Sequence, residues 1–546
     1  MLTFSGMQLN NERVKAYFDQ GLWTHESFVD VLESRVRSYP DLVHKDEKRS
    51  LTYLELWAEV ESFAASLYEL GIRKGDKVAI QLQNTLDYVI AMFGIGRIGA
   101  ASVLLQVDLG RNDLLYSLEK SGARAWIVSD SYRGEDLFGL ASDLKEALPL
   151  LRHIILQGNA AAVQEDTLSF DEMSKRDIRL SDEQLKDNRP GPLDVWVIAF
   201  TSGTTGAPKG VVHVHANYLW SARAYASIYG FKPGETVLNM APISHQTGML
   251  VGVMMPIVSG GCMLLHDRFS STRVLKLIAE NKPTYLVGAP PHLIHLTNAP
   301  NLTKVDTSSV RLFIYAGAPV PSPILKRLQE ESGITVAAMF GWTEGFVVLC
   351  TRPDDLLEVI STSVGTPVAG IEFKLVDEDG IEVQPGSPGE ALSRGPNFCM
   401  GYYNNPEAAS RQWDDEGWFH SGDILYEDEH GRYVFMCRKD DVINRGGTKV
   451  DPKRVEDACA AHPAVEVVAV VSEPDETLGQ RTVACVTLKE GSEPFSITEL
   501  QAFLNRRGLA KYQYPDKVCF FDALPMTHSG KIKRKDLRLQ VLKESN

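Results

Sequence analysis

The sequence predicts an α/β protein with α+β lobes. A large N-terminal domain of doubly wound sheets carries a small β-rich lobe, and a smaller α/β domain follows at the C-terminus. Three features of the sequence predict this. Helix and strand signals alternate through the first third, residues 350–435 break into short strands between Gly/Pro/Asp turns, and alternation resumes after Lys439. At 546 residues the chain is also too long for one ordinary domain.

Thr52 with Glu55 forms a capping box that opens an amphipathic helix, and Gly71 can close it. Lys77–Leu82 then reads as a strand, Leu86–Gly99 as a helix, and Ala101–Leu105 and Ala123–Ser129 as strands of a largely parallel sheet. Gly94, Gly96 and Gly99 spell GxGxxG inside this stretch. The dinucleotide fingerprint needs its strand first, whereas these glycines fall late in a helix, so they read as small residues for close packing. The apolar run Gly248–Leu265 is broken by Pro256, Ser259, Gly260 and Gly261, which favours buried core over a membrane span. Ile371–Val376 and Gly389–Arg394 are the strands of the β-rich lobe, separated by the turns Asp377–Gly380 and Gln384–Gly386. Lys439–Lys449 is polar and Gly-rich and reads as a hinge, which divides 1–439 from 440–546.

A net charge of −15 disfavours a protein that coats nucleic acid, since phosphate neutralisation needs a basic surface. A local basic patch for an anionic cofactor stays open. The seven cysteines are scattered singly with no CxxC, as expected of reduced, mostly buried thiols in a cytoplasmic protein. No secretory signal is read at the N-terminus and no membrane insertion is expected.

The densest chemical signal follows the apolar strand Asp194–Phe200. Thr201, Ser202, Gly203, Thr204, Thr205, Gly206 and Lys209 crowd four hydroxyls, glycines and an ammonium into one loop. Glycines let backbone N–H groups turn toward an anion, hydroxyls donate further bonds, and Lys209 adds charge, so the loop reads as a phosphate cradle. Pro208 and Gly210 stand where a Walker loop needs Gly and Ser/Thr.

This segment resembles the phosphate loop of the acyl-adenylate-forming superfamily, which includes acyl- and aryl-CoA synthetases and carrier-protein-charging adenylation domains. Further motifs match in order. Tyr315-Ala-Gly-Ala-Pro319 resembles the adenine-contacting turn, and Phe340-Gly-Trp-Thr-Glu344 the aromatic-Gly-x-Thr-Glu segment. Gly417–Asp423 and Arg438–Asp441 resemble the ribose and hinge segments, and Leu524–Ile532 the terminal lysine motif.

The resemblance implies an ATP site of the phosphate loop with Gly317, Ala318, Pro319, Phe340, Gly341, Trp342, Asp423 and Arg438. It implies that Glu344 and Thr204 help hold Mg²⁺, a hard cation suited to oxygen ligands, and that Thr343 donates to the α-phosphate. Lys531 would bridge the substrate carboxylate and that phosphate. Its loss, by analogy with an oxyanion donor, would cost at least ~3 kcal/mol. Asp440 would be the hinge, with Gly446 and Gly447 lining the thiol tunnel after domain rotation. Cys437 stands where the family has Gly, and Gln480 where Glu is common.

His213 and His215 alternate on a strand and His292 and His295 sit at helical spacing. Neither pair has a third ligand nearby, so both read as packing or hydrogen-bonding groups. No GxSxG elbow appears. Pro242–Gly248 resembles the acyl-pocket segment, which makes His245 and Gln246 acid-pocket candidates, and Phe340–Arg352, which resembles the aryl-acid-activating branch, adds Val347. Arg13–Trp23 resembles the aryl-acid branch. Hydroxybenzoate activators carry a smaller amide where Gln246 stands, so an unhydroxylated ring is expected. The whole chain also resembles cyclohexanecarboxylate–CoA ligases, which implies a cyclic acid as substrate. Coenzyme A is the expected acceptor. A stand-alone enzyme charging a carrier protein, a medium-chain fatty acid as substrate, and a homodimer stay open.

Overall fold

The computed structural model describes residues 5–8, 11–158, 167–201, 208–317, 319–445, 448–526 and 532–544. Two compact units emerge, residues 1–373 with 393–419 and residues 374–392 with 420–546.

The first unit holds two mixed sheets. A seven-stranded sheet runs in the order Lys209–Val214, Val195–Thr201, Ala101–Leu104, Lys77–Gln81, Ala125–Ser129, His153–Gln157, Thr167–Ser169. Every pairing in it is parallel except the first. The second sheet has nine strands, with a parallel centre that includes Thr236–Asn239, Tyr285–Gly288, Leu312–Ala316 and Thr335–Trp342.

Alternation along these strands assigns their faces. Val78, Ile80, Ala125 and Ile127 point into the same core as Tyr285, Val287, Leu312 and Ile314. Ala79, Trp126 and Val128 line the opposite face of the seven-stranded sheet, and Leu286, Phe313 and Tyr315 the opposite face of the nine-stranded one. The shared core is thus packed between the two sheets, with helices Tyr53–Glu69 and Leu86–Arg97 inside it.

The capping box at Thr52–Glu55 is formed. Gly94 and Gly96 lie inside helix Leu86–Arg97: a Cβ on Gly94 would stand 2.8 Å from Phe63 Cδ1, and one on Gly96 would collide with Trp196. They are packing residues. The run Gly248–Leu265 folds as a π-helical turn Leu250–Met254, the helix Met255–Ser259 and the strand Cys262–Leu265, all in the core. Among the described residues no helix is long and apolar enough to cross a membrane. All seven cysteines are buried.

The second unit carries most of a four-stranded sheet, Glu372–Val376, Gly389–Arg394, Phe419–Glu427 and Tyr433–Arg438, and a five-stranded one. The compact division therefore falls earlier than the 439/440 boundary read in the sequence. Strand Tyr433–Arg438 pairs along Phe419–Glu427 up to Asp423↔Arg438, so the end of the β-rich lobe lies on the C-terminal side of the division. The chain beyond 450 is also less regularly alternating than expected. Val465–Asp475 and Gly479–Leu488 form a long antiparallel hairpin whose second strand opens on Gly479 at φ +72°. Val468 and Val470 face helices Pro452–Ala460 and Ile497–Arg506, while Ala469 and Val471 face Leu537 and Val541 of helix Arg534–Glu544.

Candidate active site

In the first unit the candidate groups gather at the carboxyl ends of parallel strands, where open α/β sheets bind ligands. Strand Val195–Thr201 is almost wholly buried, and its last residue pairs with Lys209 across an antiparallel ladder. The described residues that flank the phosphate loop, Thr201 and Lys209, thus sit side by side at adjacent strand ends. Ser202, Gly203, Thr204, Thr205 and Gly206 lie outside the described residues. Lys209 Nζ lies 4.9 Å from the Tyr402 ring centroid and 3.4 Å from Gln412 Oε1.

The adenine-turn candidates follow strand Leu312–Ala316. Gly317 takes φ +116°, a conformation L side chains rarely adopt, and Pro319 is exposed; Ala318 lies outside the described residues. The neighbouring strand Thr335–Trp342 runs parallel, with Ala316↔Met339 in register, which brings Gly317 beside half-buried Phe340. Phe340 meets Trp342 edge-on at 5.6 Å. Gly341 sits at a register shift where a Cβ would collide with the Phe346 carbonyl.

Thr343, Glu344 and Gly345 form the turn between Trp342 and its pairing partner Phe346. Each carbonyl of the turn is held. His213 Nε2 donates to Thr343 O at 2.9 Å, Cys399 N to Glu344 O at 2.7 Å, and Asn397 Nδ2 to Gly345 O. The Glu344 carboxylate accepts from Tyr402 OH at 2.6 Å through Oε1. Phe346 closes the turn at φ +53°, which costs a bulky residue about 1–2 kcal/mol. Stacking on His213 at 4.2 Å and an edge contact with Tyr218 at 4.8 Å offset that strain.

The proton on His213 is fixed by its neighbours. Asn217 Oδ1 accepts from Val214 N, so its amide nitrogen faces His213 Nδ1 at 2.9 Å, and it also donates to Asn397 O at 3.0 Å. Nδ1 must then accept, leaving Nε2–H to donate to Thr343. Burial pushes this imidazole down to about 3, so it stays neutral. His215, by contrast, opens helix His215–Ile228, and its Nδ1 accepts from Phe28 N at 3.2 Å. His292 Nδ1 accepts from Ala289 N at 3.0 Å. Among the described residues no cluster of three His/Cys/Asp/Glu could hold a metal by itself.

Helix His215–Ile228 also joins the acid-pocket candidates. Tyr218 and Tyr225, two turns apart on one face, reach Gln246 and Val347 respectively. Tyr218 OH donates to Gln246 Oε1, and Tyr225 OH accepts from Val347 N at 2.8 Å. Gln246 is buried with its Nε2 unpartnered, whereas His245 is exposed and caps the short helix Gln246–Met249. The N-terminal stretch braces the segment before Asp423: Arg13 donates to Glu416 O at 2.5 Å, and Trp23 Nε1 to Pro396 O at 2.9 Å.

In the second unit Asp423 is buried and meets Arg438 Nε at 2.6 Å, while Arg438 Nη1 donates to Ser421 O at 3.1 Å. The two expected ribose residues are thus paired directly across the ladder. A 3₁₀ turn Lys439–Asp441 follows. Lys439 Nζ reaches Glu390 Oε2 at 2.7 Å, and Asp441 reaches Arg538 at 2.8 Å. Burial would raise the Glu390 carboxyl, but His420, Lys439 and the Gly422 N–H together hold it down to about 2. Cys437 is buried, which pushes its thiol up to about 12. The Asp440 side chain, Gly446, Gly447 and Lys531 lie outside the described residues. The helix after Lys531 is anchored by Arg534, which donates to Val470 O at 2.7 Å and pairs with Glu456 at 2.6 Å.

The sequence reading had no signal for Tyr402, Asn217, Asn397, Tyr218 or Tyr225. Only the pairing of buried hydroxyls and amides with the turn and the pocket singles them out.

Comparison with known proteins matches the AMP-binding enzyme family to residues 32–403 and the AMP-binding enzyme C-terminal domain to residues 454–531. The medium-chain fatty-acid–CoA ligase of Escherichia coli (strain K12) is 32% identical over 98% of this chain and 94% of its own. The 2,3-dihydroxybenzoate-AMP ligase of Bacillus subtilis (strain 168) is 31% identical over 97% of this chain and 96% of its own. Among solved structures, the anthranilate CoA ligase AuaEII in complex with anthranoyl-AMP superposes with a TM-score of 0.86 at 27% identity. That match covers 95% of this chain and 98% of the other.

Proposed function

Because the chain belongs to the AMP-binding enzyme family and is an AMP-forming acid–thiol ligase, we propose that it joins an unhydroxylated cyclic carboxylate, such as cyclohexanecarboxylate, to coenzyme A. A carboxylate oxygen attacks the α-phosphorus of ATP and pyrophosphate leaves. The thiolate then attacks the acyl carbon of the adenylate and AMP leaves.

The residues suit these steps. Lys209 supplies charge beside the phosphate loop, and Thr343 offers a hydroxyl from a turn whose carbonyls are all held. Phe340 gives adenine a flat face beside Gly317. Glu344 presents one carboxylate with Oε1 oriented by Tyr402 and lone pairs to spare. That donor set fits Mg²⁺, which is usually held by one or two carboxylates plus substrate phosphates, with Thr204 as a second protein oxygen. When bound, the ion would neutralise charge on the phosphate oxygens. Lys531 is assigned to the carboxylate and α-phosphate, and Asp440 to the hinge that withdraws it and presents Gly446 and Gly447. Lys439 and Asp441 support a hinge there, since the ion pairs on either side of Asp440 run to different elements.

One observation carries the choice of acid. The Gln246 carbonyl, which could accept from a ring hydroxyl, already accepts from Tyr218 deep in the core. Beyond Gln246, Met249–Val253 is buried and brings no polar side chain, so a ring hydroxyl turned toward it would go unmatched at about 1–3 kcal/mol.

Two relatives favour second readings. The fatty-acid ligase points to a medium-chain acid, and the dihydroxybenzoate ligase, which makes an adenylate, points to a carrier protein as acceptor. Mass spectrometry of products from enzyme, Mg·ATP, coenzyme A and equimolar cyclohexanecarboxylate, benzoate, salicylate and octanoate decides among them. A cyclic acyl-CoA without a ring hydroxyl should dominate. Octanoyl-CoA or salicyloyl-CoA in front would overturn the pocket reading, and adenylate without thioester would move the acceptor to a carrier protein.

A further inference from the structure

We propose that Tyr402 is a positioning residue that holds Glu344 through its hydroxyl and supports Lys209 on its ring, keeping the two opposite charges apart and aimed at one ligand. The inference rests on the reading that Glu344 serves the metal and Lys209 the triphosphate.

The ring is held on several sides. Met400 N donates to Val212 O at 2.8 Å, Val212 N to Gly401 O at 3.0 Å, and Tyr403 N to Gly210 O at 2.8 Å. Residues 400–403 therefore lie as a short extra strand along Lys209–Val214, the strand that Lys209 opens. Trp413 meets the Tyr402 ring edge-on at 5.2 Å, and the side chain is buried. A ring so placed has little rotational freedom, and its two handles are spoken for.

The hydroxyl donates to Glu344 Oε1 at 2.6 Å, within the range of a charge-assisted O–H···O⁻ bond. The ring face lies 4.9 Å from Lys209 Nζ, close enough for a cation–π contact. Among the described ion pairs none joins Lys209 to Glu344. A direct Lys–Glu pair would neutralise both groups and would have to break when a metal–triphosphate arrives. With a phenol between them, each keeps its charge for the ligand. Groups that orient a metal-binding residue in this way typically change metal affinity or activity by about 10–100-fold when removed.

Tyr402→Phe tests this, because it deletes the hydroxyl and keeps the ring. Mn²⁺ binding is read by electron paramagnetic resonance on the full-length enzyme with a non-hydrolysable ATP analogue, alongside the Mg²⁺ dependence of pyrophosphate exchange. Mn²⁺ affinity should fall about tenfold and the half-saturating Mg²⁺ rise about tenfold, with KM for the acid unchanged. Tyr402→Leu should in addition raise KM for ATP, as Lys209 loses its platform. Glu344→Gln separates the two levels of inference. If it leaves Mn²⁺ binding intact, the metal reading of Glu344 fails. If it weakens Mn²⁺ binding while Tyr402→Phe binds like wild type, the role of Tyr402 alone is refuted. Equal loss of acid, ATP and Mn²⁺ affinity in Tyr402→Phe, with a lower Tm, would mark Tyr402 as a packing residue and also refute it.

Discussion

Mild acid should weaken the first unit through three buried histidines, His44, His213 and His215. All three are fully buried, and burial lowers each imidazole from 6.5 to about 3. Geometry gives the same answer independently. Each Nδ1 accepts from an N–H: Met263 N for His44 at 3.2 Å, Asn217 Nδ2 for His213 at 2.9 Å, and Phe28 N for His215 at 3.2 Å. A second proton on any ring must break that bond and bury a charge. The folded value lies below the unfolded one, so the unfolded chain binds more protons and stability falls as pH drops from 6.5 toward about 3.

At about pH 5.5 the unfolded imidazoles are roughly ten-elevenths charged, which costs about 1.4 kcal/mol each and ~4 kcal/mol for three relative to about pH 7.5. Asp451 in the second unit acts in the opposite sense: burial raises its carboxyl to about 6, so its contribution grows as pH falls through that value. Native-state hydrogen exchange by mass spectrometry resolves the two. Protection of strand Val195–Thr201 should fall by ~4 kcal/mol between about pH 7.5 and 5.5, after correction for intrinsic exchange, while Val465–Asp475 should lose far less. Equal protection of Val195–Thr201 at both pH values would refute the neutral buried histidines.

Three further outcomes are expected of the same structure. Asn217→Ala strands Val214 N, His213 Nδ1 and Asn397 O together. It should destabilise the chain by about 3 kcal/mol or more in urea unfolding, since each buried group left unpaired costs about 1–3 kcal/mol. Gly96→Ala pushes a methyl into Trp196 and should lower stability by about 1–3 kcal/mol with KM for ATP unchanged, because those glycines pack a helix and bind no nucleotide. Lys531→Ala should slow ATP–pyrophosphate exchange at least ~100-fold, yet leave thioester formation from synthetic acyl-adenylate near wild type.

Local signals were the legible ones. The Thr52–Glu55 cap, the alternating strand faces and the packing glycines depend on neighbours a few residues away or on one element's period. So did the strand that runs into the phosphate loop. What stayed hidden depends on distant partners. Tyr402 and Glu344 are 58 residues apart, and Asn217 and Asn397 180 apart, so no local pattern announces either bond. The left-handed Phe346 gave no warning either, because the residue type argues against it and only stacking on His213 and Tyr218 makes it tenable. The hairpin Val465–Leu488 was missed as such because two β-rich strands joined by a short polar turn resemble alternating α/β units when read by composition alone.

Oxygen transfer tests the two-step chemistry most directly. The enzyme is turned over with Mg·ATP, coenzyme A and a carboxylate labelled with ¹⁸O in both oxygens, and AMP, pyrophosphate and acyl-CoA are weighed by mass spectrometry. Attack of the carboxylate on the α-phosphorus followed by thiolysis must leave one labelled oxygen in AMP and one in the thioester, with pyrophosphate unlabelled. Label in phosphate or pyrophosphate, or ADP in place of AMP, would contradict the adenylate.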